Sequence, residues 1–199
     1  MASTEKIRSK KIPNLFFQNV KSEKLINAFE AAYERFPFLH DSEMLLQQLP
    51  LSGYTMRAQP VIDYRIASTR KRKYRIQISN HLEIAQYIKL KELPHEVLVG
   101  WFAHELGHVV DYHKRSIFSL MKFIVGYVSF PTHRSGAERR ADLFAMEQGF
   151  GKELMETKLY ILEKSKLPDA YKDRIRKYYM SPDELEMLLL DEEPERVHF

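Results

Sequence analysis

The chain has 199 residues, 44% of them apolar and 29% charged, a composition that argues against intrinsic disorder and suits one folded domain. It has no cysteine, which excludes disulfides, thiolate zinc sites, iron–sulfur clusters and cysteine nucleophiles. The net charge of +4 and the pI of about 9.1 permit an acidic partner without requiring one.

The first part of the chain, residues 1–58, is predicted to contain helices. Apolar residues spaced three and four apart predict a helix over residues 22–36, which a proline then ends. A second, shorter helix is expected to start at Asp41 or Ser42 and to end before Pro50.

The hydrophobic period changes to two in residues 60–80. Residues 61–66 are rich in β-branched and aromatic side chains, and further on Tyr74, Ile76 and Ile78 alternate with polar residues. This alternation is typical of a strand with one buried face, and a charged turn joins the two stretches. We predict a small β-hairpin in this region.

The rest of the chain is predicted to be mostly helical. The predicted helices are residues 84–90, 94–113, 117–130 and 135–148. Two or three further helices fill residues 151–199, and a capping box at residues 181–184 marks the start of the last one. Helices grouped around a small hairpin or sheet define an α+β fold.

The most informative stretch is H-E-L-G-H at residues 104–108. On a helix, His104 and His108 lie on one face, so both imidazoles can reach the same zinc ion. Glu105 lies about 100° further round, where it can reach a water that the metal holds. The alternative is a helix with two solvated or core histidines, but the preceding apolar run, residues 97–103, places this helix in the core, where unsatisfied polar groups are costly.

A catalytic zinc needs a third protein ligand and one open position. The nearby candidates are Asp111, His113, His133, Glu138 and Asp142. Glu138 and Asp142 are four residues apart, so Glu138 could bind the metal while Asp142 accepts a hydrogen bond from His104. In the alternative interpretation, residues 135–138 form a capping box and Asp142 is a surface charge.

The pattern H-E-x-x-H at residues 104–108, followed by E-x-x-A-D at residues 138–142, resembles the gluzincin zinc metallopeptidases. The resemblance covers residues 101–142, in a segment of predicted metal-site helices at residues 94–149. It implies a zincin-like fold with one zinc per chain, bound by His104, His108 and Glu138. It also implies hydrolysis of peptide bonds by a zinc-activated water, with Glu105 as the general base.

The resemblance further implies a peptide or protein substrate that lies along an upper edge strand. The predicted substrate contacts are therefore Tyr74, Ile76 and Ile78. A tetrahedral intermediate also needs a hydrogen-bond donor for its oxyanion. His133 is the candidate for this role, with Arg134, Tyr127 and Tyr179 as alternatives.

Two other functions compete with the hydrolase. The first is a catalytically silent, zinc-stabilised interaction or scaffold protein, and the presence of Glu105, which metal binding alone does not need, favours the enzyme. The second is a nucleic-acid-binding module, because residues 70–73 and Arg75 are basic. A solvated hairpin tip is the more common interpretation of such a run, and we expect no nucleic-acid partner.

Two segments are relevant to the location of the protein and to access to its predicted site. The apolar run from Ile117 to Phe130 is expected to be a buried helix, and the alternatives are a lid, a hydrophobic substrate surface or a membrane contact. It is too short for an ordinary membrane span, and no signal peptide precedes it, so we expect a cytoplasmic protein. An acidic tail from Asp191 onward is expected to be mobile, or alternatively to fold over the cleft.

Overall fold

The computed structural model describes residues 6–63, 65–68, 72–82, 88–164 and 166–191. The strands are β1 (Lys6–Arg8), β2 (Leu15–Gln18), β3 (Glu43–Gln48), β4 (Met56–Pro60) and β5 (Lys73–Ile78). The helices are α1 (Glu23–Glu34), α2 (His95–Lys114), α3 (Ile117–Ser129), α4 (Pro131–Glu147), α5 (Gly151–Leu159), α6 (Asp169–Tyr178) and α7 (Pro182–Asp191). The predicted α+β class is confirmed. Across these ranges no helix combines the length and the apolarity that a membrane crossing requires.

The five strands form one mixed sheet in the order β1-β2-β3-β5-β4. The central pairs, β2–β3 and β3–β5, are parallel, whereas the outer pairs, β1–β2 and β4–β5, are antiparallel. Alternate side chains of the strands, such as Leu15, Met44 and Ile76, are fully buried against the helices. β4 therefore lies at one edge of the sheet, and β5 lies inside it.

Three expectations about this sheet were wrong. The helix predicted to end before Pro50 is the strand β3, because Met44 and Leu46 alternate with less buried residues and the segment pairs with strands on both sides. The first strand of the hairpin ends at Pro60 instead of spanning residues 61–66. The strands β1 and β2 were not predicted, since the region before residue 58 was expected to contain only helices.

The helix predicted over residues 22–36 is confirmed as α1, and the one over 94–113 as α2. The helix predicted over residues 84–90 falls mostly on residues 83–87, which lie outside the described ranges. The capping box of α7 is confirmed: the Glu184 amide donates to Ser181 Oγ at 3.2 Å, and the Ser181 amide donates to the Glu184 carboxylate at 2.8 Å.

α4 starts four residues earlier than predicted. Pro131 occupies the first turn, where its missing N–H costs little. Ser135 is therefore inside the helix and does not cap it, and its hydroxyl donates to the Tyr178 carbonyl at 3.4 Å. The capping-box interpretation of residues 135–138 is wrong, which leaves the Glu138 side chain available for another role.

The expectation that the apolar helix α3 is buried was wrong for one face. Leu120 is fully buried, but Phe118 and Val125 are 79% and 64% exposed. A third side of the helix, with Phe123 and Tyr127, borders a cavity. α3 thus stands at the surface as a wall with one apolar face toward solvent.

Candidate metal centre and its cavity

Three buried side chains meet between α2 and α4. The Nε2 atoms of His104 and His108 lie 3.1 and 3.2 Å from the same carboxylate oxygen of Glu138. Each of the three residues is 4–6% exposed. Their potential ligand atoms all lie within 4.8 Å of one another, so the group could hold a metal ion.

The local sequence explains how two helices bring these groups together. The four-residue spacing of the two histidines places both on the face of α2 that meets α4. Gly107, between them, touches the backbone of α4: a Cβ atom there would lie 2.1 Å from the carbonyl oxygen of Ala141. The absence of a side chain at Gly107 thus allows the close approach that places Glu138 over the two imidazoles.

Asp142 holds the imidazole of His104 from behind, as the sequence predicts. Its carboxylate lies 2.8 Å from His104 Nδ1, and Asp142 is fully buried. The same carboxylate accepts hydrogen bonds from the Met180 amide at 3.2 Å and from Lys158 Nζ at 3.0 Å. The interpretation of Asp142 as a surface charge is therefore wrong.

Lys158 of α5 was missed by the sequence analysis. It is 4% exposed, and its ammonium group lies 4.4 Å from the ring centroid of Tyr179. A signal existed in the sequence, because Lys158 shares one helical face with the buried residues Leu154 and Ile161. A lysine on an apolar face requires a buried anion, and Asp142 supplies it.

The surroundings of His108 are less polar. Its Nδ1 atom is buried and has no hydrogen-bond partner among the described residues. Its ring stacks with that of Tyr112 at a centroid distance of 6.3 Å. The hydroxyl of Tyr127, on α3, donates to the second oxygen of Glu138 at 2.7 Å. The site thus has one tightly bonded histidine and one that mainly packs.

The electrostatics follow from this packing. Burial lowers the pKa of His104, but Asp142 and Glu138 outweigh it and raise the pKa to about 10. Burial raises the pKa of Glu138, but the two histidines outweigh it and hold the pKa well below its usual range. Similarly, Lys158 and His104 overcome the effect of burial and lower the pKa of Asp142 to about 2. The two carboxylates thus attract positive charge to the point where the imidazoles meet.

The donor set fits a small divalent cation. Two imidazole nitrogens and one carboxylate oxygen are ordinary zinc ligands, bound at about 2.0–2.1 Å. In tetrahedral geometry neighbouring ligand atoms are then about 3.3 Å apart. The observed 3.1 and 3.2 Å from Glu138 to His104 and His108 agree with this spacing. The hydrogen bond that His104 Nδ1 donates to Asp142 fixes the imidazole with Nε2 turned toward the ligand group.

Glu105 lies beside this group and is 5% exposed. It does not belong to the three potential ligands, but it borders the same cavity as His108 and Glu138. Burial raises the pKa of Glu105, while the histidines and the backbone of Ala58 act in the opposite direction. The carboxylate therefore faces the space in which a substrate would lie.

The cavity has a volume of about 530 Å³, and β4 forms one of its walls. The amides of Ser79 and Val61 bond to the carbonyls of Thr55 and Lys73, so odd-numbered residues of β4 bond to β5. Ala58 consequently directs its backbone toward the cavity, where the Tyr112 hydroxyl donates to its carbonyl at 3.4 Å. The edge of the sheet that does not pair with β5 thus runs past the candidate metal centre.

The predicted substrate contacts Tyr74, Ile76 and Ile78 were wrong. They belong to β5, which lies between β3 and β4, and all three are fully buried in the core. Their alternation with polar residues indicates that one face of the strand is buried. An inner strand can have such a face just as an edge strand can. The strand that contributes its whole length to the cavity is β4, and β5 contributes Arg75 alone among the described residues.

The structure does not bring His133, the predicted oxyanion donor, to the cavity. It is exposed in the first turn of α4, beside Phe130, and does not border the cavity. Tyr179 does border it, with its ring 5.3 Å from that of His104. Burial raises the pKa of Tyr179 well above its usual value, so its hydroxyl stays protonated and can donate.

Two other candidates for the third ligand are occupied elsewhere. Asp111 forms ion pairs with Arg115 at 2.9 Å and with Arg140 at 3.4 Å. His113 lies 3.1 Å from the Tyr74 hydroxyl. Neither belongs to the ligand group, which leaves Glu138 as the third member.

Comparison of the chain with known protein families, with curated proteins and with solved structures finds no match. The geometry of the site and its chemistry therefore carry the functional argument.

Proposed function

We propose that the protein is a zinc-dependent peptidase of the gluzincin type. The observation that carries this proposal is the meeting of His104 Nε2 and His108 Nε2 at one oxygen of Glu138, with a further carboxylate, Glu105, beside them. A scaffold protein that only bound metal would need the three ligands. It would not need Glu105 buried at the wall of a cavity.

His104, His108 and Glu138 would hold the zinc ion. Asp142 fixes the orientation of the first imidazole, and such a hydrogen bond strengthens the ligand and sets its tautomer. No cysteine is available, and a nitrogen–nitrogen–oxygen set is typical of catalytic zinc, which keeps a position open for the reaction.

Bound zinc supplies Lewis acidity, which activates water and polarises a carbonyl oxygen. Glu105 is the general base: its carboxylate takes a proton from the attacking water and later gives it to the nitrogen of the leaving amine. Tyr179 is the donor for the oxyanion, because its hydroxyl has no partner among the described residues and its ring lies against His104.

The edge strand β4 positions the substrate. The backbone groups of Ala58 face the cavity, where they lie within hydrogen-bond reach of Glu105 and Tyr112. A peptide in extended conformation can add to such an edge through main-chain hydrogen bonds, which bind it without regard to side chains. This role replaces the one that the sequence analysis gave to Tyr74, Ile76 and Ile78.

Replacement of Glu105 by glutamine tests the proposal. The wild-type protein should contain about one zinc per chain and cleave members of a fluorogenic peptide library. The Glu105→Gln variant should keep its zinc and lose about 10²–10⁴-fold in kcat, because the general base is gone. Glu96→Gln removes an exposed carboxylate from the same helix and should change neither quantity. Zinc-free wild-type protein, or full cleavage by Glu105→Gln, contradicts the proposal.

A further inference from the structure

The charges around the cavity are divided by sign. Among the described residues that border it, the two acidic groups, Glu105 and Glu138, belong to the reaction centre. The remaining charged residues are all arginines: Arg57, Arg75 and Arg174. Most of the other lining residues are aromatic or aliphatic. Apart from Glu105 and Glu138, no described residue that lines the cavity is acidic and could balance the charge of the arginines.

Arg174 is the arginine with the fewest contacts. It lies on α6, which also contributes Ile175 to the cavity, and it is half-buried. Within the described ranges its guanidinium group has neither a hydrogen bond nor an ion pair. Arg176, two residues on, is exposed and forms an ion pair with Asp173 at 2.8 Å. The same short helix thus has one satisfied surface arginine and one unsatisfied arginine at the cavity.

The other two arginines belong to the sheet, Arg57 to β4 and Arg75 to β5. Arg57 donates to the side-chain oxygen of Gln77 at 2.8 Å, and Arg75 donates to that of Gln59 at 3.2 Å. Amide oxygens satisfy one N–H group of each guanidinium and leave its charge uncompensated. Arginines from the sheet and from α6 thus border the cavity without an ion-pair partner among the described residues.

We propose that the cavity selects peptides that have a carboxylate near the cleaved bond, and that Arg174 is the residue that binds it. A guanidinium group offers a planar pair of donors that matches a carboxylate, and the bond is strong where water is partly excluded. The aromatic walls would take an apolar neighbour of the acidic group. This inference rests on the proposed peptidase function, because it assigns the substrate class of that same site.

A binding experiment with matched arginine variants tests the inference. The protein is the full chain with Glu105→Gln and zinc, so that peptides are not cleaved. The probes are fluorescein-labelled alanine octapeptides with one phenylalanine, in which a neighbouring position is Asp, Asn or Lys. Each peptide is made with a free and with an amidated C-terminus. Fluorescence anisotropy gives the dissociation constants.

We expect the preferred carboxylate to improve binding about tenfold over its neutral counterpart. A preference for Asp over Asn identifies the side chain, and a preference for the free C-terminus identifies the terminal carboxylate. Arg174→Gln should reduce the preference to about twofold or less. Arg176→Gln, which removes the same charge from the same helix, should leave it intact. Arg174→Lys, which keeps the charge, should retain part of it and shows that the fold tolerates substitution.

Equal binding of the Asp, Asn and Lys peptides with either terminus overturns the inference. Equal losses in Arg174→Gln and Arg176→Gln also overturn it, since a general charge effect would then explain the preference. Cleavage by the wild-type protein separates the two proposals. Cleavage without a carboxylate preference refutes only this inference, whereas an Arg174-dependent preference without cleavage refutes only the peptidase.

Discussion

On the side of His104, the candidate metal centre is backed by α5 and by the segment at Met180, and on the side of His108 it is bordered by α3. The first side contains a buried aspartate with three partners, among them the ammonium group of Lys158. The second side contributes one hydrogen bond, from Tyr127, and α3 exposes Phe118 and other apolar residues to solvent. We call these the inner and outer sides of the centre.

The difference suggests that the inner side holds its residues in fixed positions and that the outer side can change its conformation. Buried polar networks have few alternative arrangements, because any loss of a partner leaves an unsatisfied charge. The inner side therefore fixes the positions of His104 and Asp142. A partly exposed helix with few buried apolar contacts opens at lower free energy. If the proposed function holds, the outer side can thus adapt to a substrate without moving His104 and Asp142.

Two glycines allow the largest test of this comparison: Gly107, which packs against α4 next to Asp142, and Gly126, which lies in α3. Gly107→Ala places a methyl group 2.1 Å from the backbone oxygen of Ala141, which cannot move without shifting α4. Gly126→Ala, in α3, meets the side chain of His133 at 3.3 Å, and this exposed ring can turn away. We expect Gly107→Ala to lower the free energy of unfolding by about 3 kcal/mol. Gly126→Ala should leave it unchanged or raise it by up to about 1 kcal/mol, because alanine favours helix.

Denaturant unfolding of the metal-free proteins measures both glycine effects. Equal destabilisation by the two substitutions would mean that α3 is packed as rigidly as α4. The division into a fixed inner side and an adaptable outer side would then be untenable.

Lys158→Met tests the inner side alone. The substitution keeps the length of the side chain but removes the charge that faces Asp142 at 3.0 Å. Without it, Asp142 is a buried anion that keeps its hydrogen bonds with His104 and the Met180 amide but loses the ammonium group, and the imidazole is held less well. We expect zinc affinity to fall about 10–100-fold, the range for lost partners of metal ligands. Competition with a chromophoric chelator measures the affinity.

Lys152→Met is the matched control for this prediction. Lys152 is exposed on the same helix, so its loss should leave zinc affinity unchanged. A Lys158→Met variant with wild-type affinity would show that Asp142 orients His104 without help from α5.

The sequence predicted which three side chains meet in the group that could hold a metal, because the information for it is local. The spacing of four residues fixes which side chains share a helical face, both for His104 with His108 and for Glu138 with Asp142. Because both helices lie in the core, their buried imidazoles and carboxylates need polar partners. The two histidines of α2 and the two carboxylates of α4 can supply these partners to each other. The position of Asp142 behind His104 followed from the same argument.

The errors arose where distant segments decide the structure. Residues 43–48 have a pattern compatible with a short helix, and only pairing with β2 and β5 makes them a strand. The alternation at Tyr74, Ile76 and Ile78 shows a buried face but not whether the strand has neighbours on one side or on two. Lys158 acts through an aspartate 16 residues away on another helix. No local periodicity identifies such a partner, although the apolar face around Lys158 indicated that one exists.

Tyr127→Phe tests the outer side and should have the smallest effect. It removes only the hydroxyl that donates to Glu138 at 2.7 Å, and the ring contact with Phe123 is retained. Water from the cavity can replace the lost donor, so we expect zinc affinity to fall by about 1 kcal/mol, or roughly fivefold. Tyr54→Phe, at the cavity rim, is the control and should leave the affinity as it is. A loss as large as that of Lys158→Met would place α3 among the fixed parts of the centre. The adaptable wall would then have to be β4, with its free edge, and not the exposed helix.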